Sequence, residues 1–157
     1  GSLAVQFARR TGAHVVATAS PGRAETTLHE IGIEQVFDPR AADASARLRS
    51  FAPGGLNAIL AFAGGDDLEQ CIDQLVPDGR VVYPNGIEPE PRKRPKVRRI
   101  PYDAVGGRAP LERLNRAVTE SRLKVVIEKV YKLEQAAEAH ARIEQGHVVG
   151  RIVLQIR

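Results

Sequence analysis

The chain contains no methionine, no tryptophan and one cysteine, and aromatic residues make up only 4% of its 157 positions. A single thiol, Cys71, forms no internal disulfide and builds no multi-thiolate zinc site. Disulfide scaffolds and zinc ribbons are therefore excluded, and a reducing, cytoplasmic setting is expected. No apolar run approaches the roughly 18 residues of a membrane-spanning helix, and no charged-then-apolar leader opens the sequence, so no membrane partner is expected. The lack of methionine extends to position 1, which predicts a chain that was processed or is an excerpt of a longer one. Charge is also nearly balanced, with Lys+Arg 23 against Asp+Glu 19. Six of those cations (Arg92, Lys93, Arg94, Lys96, Arg98 and Arg99) lie within 92–99, and acids outnumber bases elsewhere. The basic character belongs to one segment without interleaved aromatics, which argues against a nucleic-acid partner.

With 43% hydrophobic and 27% charged residues, the composition is globular. Short valine-rich runs alternate with helical periodicity. The pattern predicts a helix over 2–10 ending at Gly12, a strand over 14–19, a helix over 24–31 ending at Gly32, and a strand over 34–38. It continues with a helix over 40–51, a strand over 57–63, a helix over 67–76, a turn at Pro77-Asp78-Gly79 and a strand beginning at Arg80. Cys71 falls on the apolar stripe of the 67–76 helix and reads as a small buried hydrophobe. Pro84, Pro89, Pro91, Pro95 and Pro101 make the next stretch an extended loop, followed by a short strand at 96–100 and a helix over 110–122. Strand 125–131, helix 133–146 and strand 151–157 close the chain.

Strands of this kind, separated by helices, imply an α/β fold with a parallel sheet covered on both faces. Such sheets bind ligands at the carboxyl ends of their strands. Here those ends read Ala19-Ser20-Pro21-Gly22-Arg23, Ala63-Gly64-Gly65 and Pro84-Asn85-Gly86. Small residues there let a ligand approach the backbone, which favours a nucleotide-sized molecule, although glycine is also an ordinary strand end. His14, His29, His140 and His147 show no metal-ligand spacing.

The segments GSLAVQFARRTGAHVVATAS, GGLNAILAFAGG, LVPDGRVVYPNG and VYKLEQAAEAHARIEQGHVVGRIVLQI together resemble the nucleotide-binding half and closing segment of medium-chain dehydrogenase/reductases, nearest the quinone oxidoreductase branch. The resemblance implies a Rossmann-like domain over 1–122, lacking its usual first strand and with Gly1 as the last glycine of the pyrophosphate turn. It further implies that 123–157 would complete an amino-terminal catalytic domain that this sequence does not include. Two strands that flank the missing one would then lack a ladder partner.

The function implied by the resemblance is that of an NADP(H)-dependent oxidoreductase passing hydride to a quinone, enone or other carbonyl acceptor, with this chain as the cofactor-binding part. The alternative is a catalytically inactive nucleotide-binding or interaction fragment. Cofactor contacts are expected from Gly1, Ser2, Ser20, Arg23, Arg40, Ala63, Gly64, Asn85 and Gly86. Ser20 stands where NAD sites carry an acid, and Arg23 offers a cation to a 2′-phosphate, so NADP(H) is favoured over NAD(H). Pro39 replaces a tyrosine often found near the adenosine, leaving Arg40 as a second cation. No catalytic residue and no zinc ligand is expected within the chain, and a small-molecule acceptor is expected only when the missing domain is supplied. Alone, the polypeptide is expected to bind cofactor weakly and to reduce no quinone. The edge strand at 96–100 suggests a homodimer, although its arginines equally suit an edge guarded against pairing. Three readings of the 92–99 cluster stay open: a solvated loop, an attractor of acidic partners, and a contributor to cofactor phosphate binding.

Overall fold

A computed structural model of the chain describes residues 1–156, with Ser121 described through its backbone alone; Arg157, the end of the expected 151–157 strand, lies outside the described residues. The elements run α1 (Ser2–Arg10), β1 (Val16–Thr18), α2 (Arg23–Glu30), β2 (Gln35–Phe37), α3 (Ala44–Phe51), β3 (Leu56–Leu60), α4 (Asp66–Ile72), β4 (Leu75–Pro84), β5 (Val97–Tyr102), α5 (Arg108–Ser121), β6 (Ile127–Lys132), a 3-10 turn (Leu133–Gln135), α6 (Ala136–Glu144) and β7 (Arg151–Gln155). This is the expected α/β alternation, with parallel strands and helices between them. The chain divides into two compact units, Gly1–Val36 with Ala117–Arg157, and Phe37–Arg116. No helix among the described residues is long and apolar enough to cross a membrane.

In the first unit, the predicted stop signals act as expected: Gly12 (φ 81°) and Gly32 (φ 89°) take the left-handed conformation that ends α1 and α2. Arg9 and Arg10 occupy the last turn of α1, where cations oppose the helix dipole. Gln6 tethers this helix through its amide, donating to the Lys124 carbonyl at 2.9 Å and accepting the Lys124 N–H at 2.9 Å. The closing strands β6 and β7 pair in parallel, with Val130 opposite Val153. Glu128 fastens the 146–150 turn to β6: its carboxylate accepts the Val149 N–H at 2.6 Å and pairs with Arg142 at 2.6 Å, while Arg142 also donates to the Gly146 carbonyl. The Val149 amide, followed by the Arg142 guanidinium, outweighs desolvation and holds the Glu128 carboxyl below the usual range.

In the second unit, β3, β4 and β5 form a parallel three-stranded sheet with β5 at an edge. Alternation along β4 buries Val81 (0% exposed) and Tyr83 (1%) against Leu68 and Ile72 of α4, together with Ala61 and Ile87. The helix expected over 67–76 stops at Ile72. Leu75, the last residue at its helical apolar spacing, instead opens β4 opposite Leu56, where the Gln74 carbonyl accepts the Leu56 amide at 2.8 Å. The expected turn Pro77-Asp78-Gly79 survives as an irregularity inside β4, where Asp78 adopts φ 64° and its N–H donates to the Lys96 carbonyl. In the other sheets, β1 pairs with β2 alone, and β3 lies at the opposite edge of its sheet from β5.

Candidate functional site

The expected cofactor residues fall in both units. Gly1, Ser2, Ser20 and Arg23 belong to the first, and Arg40, Ala63, Gly64, Asn85 and Gly86 to the second. Gly1 precedes α1 with open space where a side chain would stand, and its carbonyl accepts the Val5 amide. Ser2 is the first residue of that helix, and its carbonyl accepts the Gln6 side chain. Ser20 is exposed beyond β1, and Gly22 (φ 100°) turns the chain so that Arg23 begins α2, exposed. The charge of Arg23 is felt at Glu128. The first carboxylate of α2, Glu25, sits two residues beyond Arg23.

Arg40 is engaged within its own unit: its amide donates to Asp38 at 3.0 Å and its guanidinium pairs with Asp67 at 3.3 Å. With side chains 73% and 41% exposed, that pair is weak. Ala63 is exposed after β3. Asn85 is held from both ends, its amide donating to the Tyr102 carbonyl at 2.9 Å and its side chain to Asp103 at 2.7 Å. At Gly86 (φ 82°) a Cβ would meet no neighbour within van der Waals reach, so the backbone there is open to a ligand.

Gly64 is packed on its Cβ side. A Cβ on this residue would overlap the Pro89 carbonyl oxygen and stand 2.9 Å from the Pro89 carbonyl carbon and nitrogen. Its lack of a side chain accommodates the proline-rich segment on that face.

That segment is exposed over most of its length but anchored at several points. Tyr83 donates its buried hydroxyl to Glu90 at 2.9 Å, and Arg99 donates to the Pro91 carbonyl at 2.7 Å. The Arg92 amide donates to Glu69 at 2.9 Å, and the Arg94 guanidinium pairs with both Glu69 and Asp73 at α4. Burial raises the Tyr83 phenol above its usual value, and the hydrogen bond to Glu90 raises it further. Desolvation works against ionised Glu69, but the Arg92 amide and the Arg94 guanidinium outweigh it and hold the carboxyl below the usual range. A solvent-open cavity of about 380 Å³ is lined by Tyr83, Glu90, Arg94 and Arg99 among others; its arginines are answered by these carboxylates. Sequence reasoning missed Glu69, Asp73, Glu90 and Asp103. The signal was present in Glu69 and Asp73, spaced one helical turn apart.

Replacing Glu69 with alanine strands the Arg92 amide and half of the Arg94 pairing, and is expected to cost about 2–3 kcal/mol in urea unfolding. Because its folded-state pKa is depressed, the Glu69 contribution is complete above the ordinary carboxylate value of about 4.3 and is lost as pH falls through the folded value. The Glu69→Ala chain should therefore differ from the parent at pH 7 and converge on it in acid.

Cys71 is half-buried on α4, and burial followed by the Asp67 charge raises its thiol pKa, as suits an unreactive packing residue. His29 donates its Nδ1–H to the Ile33 carbonyl, 2.8 Å away. Among the described residues no three His, Cys, Asp or Glu side chains gather to hold a metal ion.

A family model described as zinc-binding dehydrogenase matches residues 31–154. The chain belongs to that family, within the medium-chain dehydrogenase/reductase superfamily. It is 25% identical to the mitochondrial NAD(P)H oxidoreductase RTN4IP1 of Danio rerio over 99% of its own length and 46% of that protein. It is 26% identical to the chloroplast envelope quinone oxidoreductase homolog of Arabidopsis thaliana, covering 99% of this chain and 49% of that one. Among solved structures it superposes on the CurK enoyl reductase with a TM-score of 0.80 at 26% identity, over 98% of this chain and 50% of that one. The chain thus spans about half the length of each of these relatives. Zinc enters the family's name, but the described residues offer no ligand set for it.

Proposed function

We propose that this chain is the dinucleotide-binding part of an NADP(H)-dependent oxidoreductase that passes hydride to a quinone, enone or carbonyl acceptor. The observation that carries the cofactor reading is the Ser20–Arg23 corner, where an exposed arginine opens α2 and no carboxylate occupies the position after β1. Within the second unit, the open backbone at Gly86 and the doubly held Asn85 also suit a ligand contact. The nicotinamide supplies the hydride when bound. Ser20 and Arg23 would receive the 2′-phosphate, the α1 amino end at Gly1 and Ser2 the pyrophosphate, and Ala63, Asn85 and Gly86 the nicotinamide side. Residues 123–157 are assigned to completing a further domain. Exposure of Ile127 (49%), Val130 (50%) and Ile156 (74%) on and beside β6 and β7 supports that assignment.

Following NADPH absorbance with a quinone and with an enone tests the reading on the full protein carrying this chain. Turnover with either acceptor supports it. Saturable NADPH binding without turnover would favour the inactive nucleotide-binding alternative instead.

We also assign homodimerisation to the β5 edge, where Val97–Tyr102 has one ladder partner, β4. Light scattering at high concentration should give twice the protomer mass. A monomer there would leave the exposed Arg98 as a guard of that edge.

A further inference from the structure

Resting on the nucleotide-binding reading, we infer that residues 87–96 form a strap that positions the two ligand-end loops of the second unit, Ala63–Gly65 and Asn85–Gly86, with Arg94 as its positioning residue. Neighbouring parallel strands require a crossover, ordinarily a helix. Between β4 and β5 the crossover is residues 85–96, which contain no helix.

Its path is fixed at each step. After Gly86 turns the chain, Ile87 (8% exposed) enters the core beside Tyr83 and Val81. Pro89 then lies against Gly64, so that the strap touches the loop after β3 two residues after entering the core. Pro91 is fully buried, with its carbonyl taken by Arg99 of β5. Beyond it the Arg92 amide and the Arg94 side chain reach α4, the helix that Gly65 caps. The strap therefore joins the end of β3, the end of β4, α4 and β5. Prolines at 89, 91 and 95 reduce the freedom that these contacts must overcome.

Arg94 makes the far attachment. Its side chain is 21% exposed, and its planar fork spans Glu69 and Asp73, one helical turn apart at α4. A lysine keeps the charge but presents a single point, which cannot bridge two carboxylates in a fixed plane. The adjacent Arg92–Asp66 pair, 71% and 87% exposed, provides a neighbouring ion pair of the same kind without the burial.

The test combines amide hydrogen exchange with NADPH titration on the full chain and its Arg94→Ala, Arg94→Lys and Arg92→Ala variants. Arg94→Ala is expected to speed exchange at residues 63–65 and 85–87 at least about tenfold more than at Val81 and Val82 of the core strand. It should weaken NADPH binding at least about fivefold, with Arg94→Lys recovering part of both effects and Arg92→Ala altering neither. A uniform rise in exchange that includes Val81, or unchanged exchange at both loops, would make Arg94 a stability anchor only and overturn the inference. Loosened loops in a chain that binds no nicotinamide nucleotide would uphold the strap and sink the binding assignment. NADPH binding that is identical in all four proteins would do the reverse.

Discussion

Replacing Gly64 with alanine is expected to destabilise the second unit by about 3 kcal/mol, at the upper end for an added methyl in a packed interior. The reason is what the methyl meets. Pro89 presents backbone at this point, and a Cβ 2.9 Å from its carbonyl carbon and nitrogen can be relieved only by moving the segment. The movement is resisted by buried Pro91 and by the Glu69 and Arg94 attachments that follow. In a chain of this size the loss corresponds to a fall in melting temperature of about 10 °C. Gly86→Ala is the matched comparison, since Gly86 has a left-handed φ of 82° but open space around it. Strain alone should cost about 1–2 kcal/mol there. Equal stability of the two variants in thermal unfolding would contradict the close approach at Gly64.

Arg23→Glu is expected to reverse the cofactor preference of the protein. In the parent, NADPH should bind more tightly than NADH, because a guanidinium to phosphate hydrogen bond is worth roughly 1.5–3 kcal/mol, or about tenfold to a hundredfold. The variant puts a carboxylate where the 2′-phosphate would lie, so NADPH should fall below NADH, with NADH little changed. Arg23 also acts on the Glu128 carboxyl. Arg23→Gln is therefore needed beside it: it removes the cation without adding a second negative charge near Glu128, and should equalise the two cofactors. Added salt should weaken NADPH more than NADH in the parent alone. A preference that survives both substitutions would remove Arg23 from the site.

Much of the fold is legible in the sequence because its signals are local. Gly12 and Gly32 end helices as their positions suggest, and the short apolar runs at 14–19, 34–38 and 57–63 supply β1, β2 and β3. The helix boundary at Ile72 is not legible, since Leu75 continues the apolar spacing of α4 and only its pairing opposite Leu56 makes it a strand residue. The candidate site is legible at its glycines and at Arg23 but not in their uses. Gly64 and Gly86 look alike in sequence, each following a strand by a few residues. What separates them is Pro89, twenty-five positions further along the chain from Gly64, folded against one and not the other. The basic cluster at 92–99 is likewise ambiguous, because its meaning depends on which cations find acids. Arg94 and Arg99 turn inward to Glu69, Asp73 and Glu90, and no spacing rule within the octet reveals that.

A nicotinamide dinucleotide at the carboxyl ends of these strands should show as amide protection on adding NADPH at saturating concentration. Protection is expected at residues 20–23, 63–65 and 85–86, reduced when NADH replaces NADPH chiefly at 20–23. Protection confined to the cavity lined by Tyr83, Glu90, Arg94 and Arg99, or no protection at any strand end, would contradict it.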